Sequence, residues 1–245
     1  MTQIPVPPPH LKNYVGDGDF KKIGNDFLRH FIQLGKLKPY EKVLDVGCGI
    51  GRMAIPLTQY LDTRGSYEGF DVVKGAIEWC SNNISRVYPG FIFKHIDVYN
   101  KHYNINAAIK PTKLTFPYGD GTFDFVFLTS VFTHMLPEDV GKYISEIYRV
   151  LKKGGRCLVT FFLLNQEALK NIDKGVSTIN FKRVTDIYGA ANLSVPEAAI
   201  AYNEKFVINL FQKFELKILG SIHYGAWSGR KNGYDFQDIV VVRKE

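Results

Sequence analysis

The sequence predicts an α/β fold built on a parallel, doubly wound sheet. Two observations predict it. Short apolar segments rich in β-branched and aromatic residues alternate with segments of helical periodicity. The first apolar segment runs into a glycine-rich turn, VLDVGCGIGR over 43–52, placed where open α/β sheets hold ligands. A length of 245 residues suits one large domain, or a domain with a modest insertion.

Residues 1–39 read as an N-terminal arm and a helix. MTQIPVPPPH lacks the basic-then-apolar order of a secretory leader, and its proline run favours an extended arm. In DFKKIGNDFLRHFIQLGKL, Phe20, Ile23, Phe27, Phe31 and Leu34 recur at three- and four-residue steps, giving a helix with one apolar face. EKVLDVG is a short buried strand, and GRMAIPLTQYL a helix that Pro56 tightens or bends. SYEGFDV, KGAIEWCSNNISRVY and GFIFKHIDV continue as strand, helix and strand. A linker of about twenty residues ending in YGDG leads to a fourth strand, TFDFVFLTS.

PEDVGKYISEIYRVLKKGG reads as a helix with legible ends. Pro137 suits its first position, Glu138 and Asp139 its positive end, Lys152 and Lys153 its negative end, and Gly154 the left-handed cap. RCLVTFFLL is a fifth strand. The pattern breaks over 165–202, where weak periodicity and turn residues predict an insertion of one or two short helices. NEKFVINLFQKF resumes as a helix, and ELKILGSIHY and DFQDIVVVRK are the last two strands.

Composition bounds the function. The formal charge is +7, but lysines and arginines are scattered as pairs such as Lys21–Lys22, so the charge reads as solvated surface and disfavours a nucleic-acid partner. No apolar run is long enough to span a bilayer. Three cysteines, Cys48, Cys80 and Cys157, are odd in number and lack metal-ligand spacing, which predicts reduced thiols, a cytoplasmic location and no metal.

The glycine turn narrows the ligand. Gly47 and Gly49 admit close approach to backbone, and the helix behind them is expected to present free N–H groups. A dinucleotide fingerprint wants glycine where Arg52 stands, and Asp45 at the strand end would repel a pyrophosphate while attracting an ammonium or sulfonium. Asp71 ends the second strand, about twenty residues beyond the last glycine, where a carboxylate accepts ribose hydroxyls. Asp97 ends the third and can accept from an exocyclic amine, beside an apolar surface at Val98. Together they describe a ligand with an ammonium, a ribose and an aminopurine.

On VLDVGCGIGR, YEGFDV, FKHIDVY, FPYGDGTFDFVFLTSVFTHML and RVLKKGGRCLVTFF, in this order, the chain resembles the class I S-adenosylmethionine-dependent methyltransferases. The resemblance covers roughly 40–163 and 203–243. It implies a Rossmann-like, seven-stranded, mostly parallel sheet with the last strand antiparallel, in a single domain over 1–245, plus a substrate cap at 165–202. It implies S-adenosylmethionine as cofactor, held by Asp45, Gly47, Cys48, Gly49, Arg52, Asp71, Val72, Asp97, Val98 and Thr129. The acceptor is expected to be a small molecule, methylated on oxygen or nitrogen. The alternatives are an RNA or protein methyltransferase, or a non-catalytic cofactor-binding module; Asp45 and Arg52 disfavour an NAD-dependent oxidoreductase.

After the fourth strand, LTSV replaces the proline-rich motif of base-amine methylases, and His134 follows. His134 reads either as a general base for an oxygen acceptor or as a brace before Pro137. Tyr14, Phe20, Phe181 and Tyr188 are candidate substrate-closing residues. The loop HYGAWSGR, 223–230, is expected at the carboxyl edge, with His223, Trp227 and Arg230 facing the acceptor. The competing reading has Trp227 covering the sheet's end and Arg230 paired with a local acid such as Asp235.

Overall fold

The computed structural model describes residues 7–12, 16, 18–101 and 103–245. A seven-stranded sheet has the strand order β10-β11-β5-β4-β1-β2-β3, with β1 Lys42–Val46, β2 Ser66–Asp71, β3 Phe91–His95, β4 Phe123–Leu128, β5 Leu151–Phe161, β10 Leu216–Ile218 and β11 Asp238–Lys244. β1 runs parallel to β2 and β4, and β2 parallel to β3. β11 runs antiparallel to both β5 and β10. This is the expected seven-stranded, doubly wound sheet with its last strand reversed.

The chain groups into two compact units, one up to Lys110 with Thr122–Phe127, the other Pro111–Gly121 with Leu128–Glu245. In the first, α1 is the short Pro9–Lys12 and α2 spans Phe20–Gln33. Asp19 caps α2 by accepting from the Lys22 N–H at 2.9 Å. The predicted apolar stripe is its buried face: Phe31 is fully buried and packs on Phe125 and Phe127 of β4, with ring centroids 5.6 and 4.3 Å away.

The helix expected over 51–61 is reduced to α3, Ala54–Leu57. Pro56 lies inside it and has no N–H to donate, while Ile55, Thr58 and Leu61 around it donate i→i−4 bonds. α4, Lys74–Cys80, carries the half-buried Trp79 and continues into a π turn, Ser81–Ser85.

In the second unit, α5, Pro137–Val150, begins with proline and two acids as expected. It ends earlier than the lysine pair suggested. Leu151 is already extended, β5 begins there, and Gly154, at φ +77°, lies inside that strand. Arg149 is the basic residue of the last turn. Its guanidinium donates to the Phe116 and Tyr118 carbonyls at 3.0 and 2.7 Å, holding the predicted linker in place.

The insertion holds the expected short helices, α6 Gln166–Asp173 and a 3-10 turn at Pro196–Ala198, and adds an unexpected small sheet with its flanking residues, of order β6-β9-β8-β7: β6 Leu163–Leu164, β7 Lys182–Arg183, β8 Tyr188–Ala190 and β9 Ile200–Asn203. These strands have two to four residues, too short for alternation to register in sequence. α7, Glu204–Lys213, leads back to β10.

Gly24 is the contact point of α2 with the glycine turn, because a Cβ there would stand 2.5 Å from the Arg52 carbonyl oxygen. Gly24→Ala is therefore expected to destabilise the protein by about 1–3 kcal/mol despite its better helix propensity. A denaturant midpoint equal to or above that of the unchanged chain would contradict this packing.

Candidate functional site

The turn after β1 is fastened to the end of β2. Gly47 and Cys48 both donate their N–H to the Phe70 carbonyl, at 2.9 and 3.0 Å. The Gly49 N–H donates to Asp71 Oδ2 at 2.8 Å, and the Val73 N–H to Asp71 Oδ1 at 2.9 Å. Gly47, Gly49 and Gly51 all have positive φ, at 82°, 51° and 74°, a conformation that costs other residues strain. Within the turn the N–H groups of Gly47, Cys48 and Gly49 are taken by β2, so the turn itself contributes shape and its bound carboxylate.

Asp71 is half-buried and burial raises its pKa, opposed by hydrogen bonds from Val73, Gly49 and Val72. Asp45 is 1% exposed. Its Oδ2 accepts from the Tyr67 hydroxyl at 2.7 Å, and its Oδ1 has no hydrogen-bond partner among the described residues. Burial pushes the Asp45 carboxyl up to about 8, against the Tyr67 hydrogen bond and with the Asp71 charge adding to the rise. Tyr67, Gly69 and Asp71 share one face of β2. A Cβ on Gly69 would meet the Tyr67 hydroxyl at 2.8 Å and Cys48 Cβ at 2.9 Å. Glycine there is what lets the phenol reach Asp45. Sequence reasoning missed Tyr67 and Gly69, although their two-residue spacing from Asp71 was the available signal.

The remaining residues of this unit vary. Cys48 is buried, and desolvation holds its thiol well above the usual range, with Asp45 and Asp71 adding to the rise. Arg52 is half-buried, its Nε without a partner among the described residues and its pKa lowered by burial. Val72 is half-buried, and its carbonyl lies 3.2 Å from His95 Nε2. Asp97 is exposed and accepts from Asn104 Nδ2 at 3.0 Å. Val98 was expected to offer an apolar surface; it is 1% exposed and bridges to Ile109, so its side chain is covered. Phe20, the first residue of α2, is half-buried, and Tyr14 lies outside the described residues.

In the second unit, Thr129 is half-buried just past the end of β4. Ser130 follows with φ +59°, its N–H bonded to Thr160 Oγ1 at 2.8 Å and its hydroxyl 3.2 Å from Gln237 Oε1. Non-glycine residues at such φ are strained and concentrate at functional sites. His134 closes a 3-10 turn, Phe132–His134. Its Nδ1 is 2.9 Å from the Glu197 carbonyl, and the Tyr202 hydroxyl donates to the Met135 carbonyl. Glu197 and Tyr202 both belong to the insertion, so the insertion holds the His134 segment.

The 223–230 loop resolves differently from its expectation. Trp227 is fully buried, packed on Phe162 and Phe181 with centroids 5.3 Å from each, and Phe181 is itself buried. Trp227 therefore has no face to offer an acceptor. Arg230 does not point outward either. Its side chain is 8% exposed, and it donates to Glu167 at 2.9 Å, Asn165 at 2.8 Å and Ser228 at 3.1 Å while lying over the Tyr224 ring. Its acids are Glu167 of α6 and, at 3.9 Å, Asp238, so the competing reading of a paired Arg230 holds with Asp238 as the local acid in place of Asp235. His223 is half-buried, pairs with Ile239 through backbone and lies 4.9 Å from the Tyr234 ring. Tyr188 is half-buried in β8, opposite Tyr202.

Asp238 organises this loop. Fully buried at the start of β11, it accepts from the Gly225 N–H at 2.7 Å, the Leu163 N–H at 2.7 Å and Trp227 Nε1 at 2.8 Å. Burial pushes its carboxyl up to about 6, and those three donors oppose the rise.

Residues 44–159 match the family model of a methyltransferase domain. The chain is similar to phosphoethanolamine N-methyltransferase 3 of Arabidopsis thaliana, 30% identical over 145 residues that cover 59% of this chain and 26% of that one. It is also similar to demethylmenaquinone methyltransferase of Alkalihalophilus pseudofirmus, 28% identical over 63% of this chain and 57% of that one. Against the phosphoethanolamine enzymes, the match spans 25–29% of their length. Among solved structures, the PH0226 protein of Pyrococcus horikoshii OT3 superposes with a TM-score of 0.62 at 16% identity, over 94% of this chain and 93% of that one, a likeness of fold.

Asp238→Ala would leave three buried donors without an acceptor, at roughly 1–3 kcal/mol each. Loss of at least about 3 kcal/mol in urea unfolding is expected, and a variant as stable as the unchanged chain would refute the clasp.

Proposed function

We propose that the chain is a class I S-adenosylmethionine-dependent methyltransferase, as its match to a methyltransferase-domain model over 44–159 supports, and that it transfers a methyl group from S-adenosylmethionine to a small-molecule oxygen or nitrogen acceptor. The observation that carries this reading is the pair of strand-end acids. Asp71 is locked between the Gly49 and Val73 N–H groups, and Asp45 keeps one buried oxygen without a partner among the described residues. A locked carboxylate suits two vicinal hydroxyls, and an orphaned buried carboxylate oxygen suits a cation. These residues fit the group.

When bound, S-adenosylmethionine supplies a methyl carbon already activated by its sulfonium. The chain's own part is positioning. Asp71 takes the ribose hydroxyls with the lone pairs its backbone donors leave, Asp45 faces the ammonium, and Asp97 accepts from the purine amine. Gly47 and Gly49 keep side chains out of the approach. His134 is the candidate base: the Glu197 carbonyl can only accept, so Nδ1 carries the proton, which makes Nε2 the basic nitrogen of the ring. Ordering and desolvation supply the rest, because displacement at an activated carbon needs little more.

The relatives' own names point to small acceptors, phosphoethanolamine and demethylmenaquinone, which supports a small molecule over RNA or protein. No helix among the described residues is long and apolar enough to cross a membrane. The three cysteines are free and buried, which supports a reducing, cytoplasmic setting.

Calorimetric titration tests the cofactor. Asp71→Ala should weaken S-adenosylmethionine binding by roughly 2–3 kcal/mol, and Gly47→Val should abolish it; two variants binding like the unchanged chain would overturn the assignment. For the base, radiolabelled methyl transfer to a panel of hydroxylated and amine compounds should fall about 10²–10⁴-fold in kcat with His134→Gln while cofactor affinity holds. Equal kcat would leave His134 as a brace.

A further inference from the structure

Asp45 stands in an unusual place for a carboxylate. In register it lies between Gly69 of β2, which has no side chain, and Phe127 of β4, which is apolar and fully buried. Among the described residues, the titratable groups that act on it are Tyr67 and Asp71 on β2, Cys48 in the turn and Cys80 on α4. None of them is a cation. Tyr67 gives one neutral hydrogen bond to Oδ2, and Oδ1 has no partner among the described residues. A carboxylate this dry, next to a second acid and with one neutral donor, is costly to ionise.

We propose that Asp45 is a proton-linked element of the cofactor site: it holds a proton while the site lacks a cation and releases that proton to solvent when the ligand's ammonium arrives, with Tyr67 as the residue that positions it. This rests on the cofactor reading above. The balance is simple. The O–H bond of the carboxyl breaks, the proton passes to buffer, and the carboxylate left behind pairs with the incoming ammonium. Tyr67 keeps Oδ2 occupied, so Oδ1 is the oxygen presented. Gly69 makes the arrangement possible, since a Cβ there would collide with the Tyr67 hydroxyl. The carboxyl's rise to about 8 agrees with this picture.

The sign follows from linkage. The ligand prefers ionised Asp45, so affinity should rise with pH below about 8, by close to tenfold per pH unit. In the ligand-free protein the same raised carboxyl works the other way. Stability is lost as pH climbs from the unfolded value of 3.8 through about 8, and Asp45→Asn should remove that loss.

The test is calorimetric titration of the full chain with S-adenosylhomocysteine, which keeps the ammonium and lacks the sulfonium. At pH 7, below the usual α-amino range of about 7.7–8.0, the ligand is already protonated. Comparing phosphate with Tris buffer then counts protons released, and close to one is expected. Asp45→Asn should bind with no proton release. Tyr67→Phe should bind about tenfold more weakly at pH 7 and still release the proton. Binding whose heat is independent of buffer, or release unchanged in Asp45→Asn, would overturn the inference and leave the cofactor reading standing. Absence of any binding to the unchanged chain would overturn the cofactor reading first. The unchanged chain's own pH dependence needs no variant: affinity flat between pH 6 and 8 would also sink the proposal.

Discussion

The site depends on one carbonyl and one carboxylate at the end of β2. Phe70 O and Asp71 together accept the N–H groups of Gly47, Cys48 and Gly49, and three left-handed glycines make that reversal possible. The surroundings are built on this hinge. α2 closes on it through Gly24, and the π turn after α4 closes on it through Gly51, where a Cβ would meet Ile84 at 2.7 Å. A backbone reversal held this tightly needs no ligand to form. On the proposed reading, the groups that would hold the cofactor are fixed before it arrives, which lowers the entropic cost of binding.

The second unit solves a different problem with the same device, a buried carboxylate that gathers donors. Asp238 joins Leu163, just before the insertion, to the 223–230 loop, and Arg230 extends the join to α6 through Glu167 and the cap residue Asn165. The insertion in turn holds the His134 segment by Glu197 and Tyr202. The costly aromatic and basic side chains of HYGAWSGR are thus spent on seating the insertion. Through these bonds a disturbance of that loop has a bonded route to the His134 segment.

Much of this was legible. The alternation of strands and helices, the glycine turn and the acids at the ends of β1 and β2 are patterns of backbone geometry, and geometry of that kind is written locally, whereas Asp97, expected to end the third strand, lies two residues past β3. What stayed hidden was which face a side chain turns to and what it meets there. Trp227 and Arg230 have the residue types of a binding loop, and nothing local says that Asp238, Glu167 and Asn165 consume their donors. Val98 lies three residues past β3 and is buried, bridging to Ile109 through backbone. The insertion's strands are too short for period-two alternation, and Lys152–Lys153 mimicked a helix end because β5 starts without a turn. Tyr67 was overlooked because an aromatic in a strand reads as core, and here it is both core and hydrogen-bond donor.

The two tryptophans of the sequence divide between the two units, Trp79 on α4 in the first and Trp227 beneath the loop in the second. They differ in surroundings as well: Trp79 is half-buried, whereas Trp227 is enclosed with its indole N–H tied to a carboxylate. The molecule therefore carries a built-in fluorophore for each half. Single-tryptophan versions would report the melting of each half separately, and coincident or staggered emission curves would say whether the fold is one cooperative unit or two.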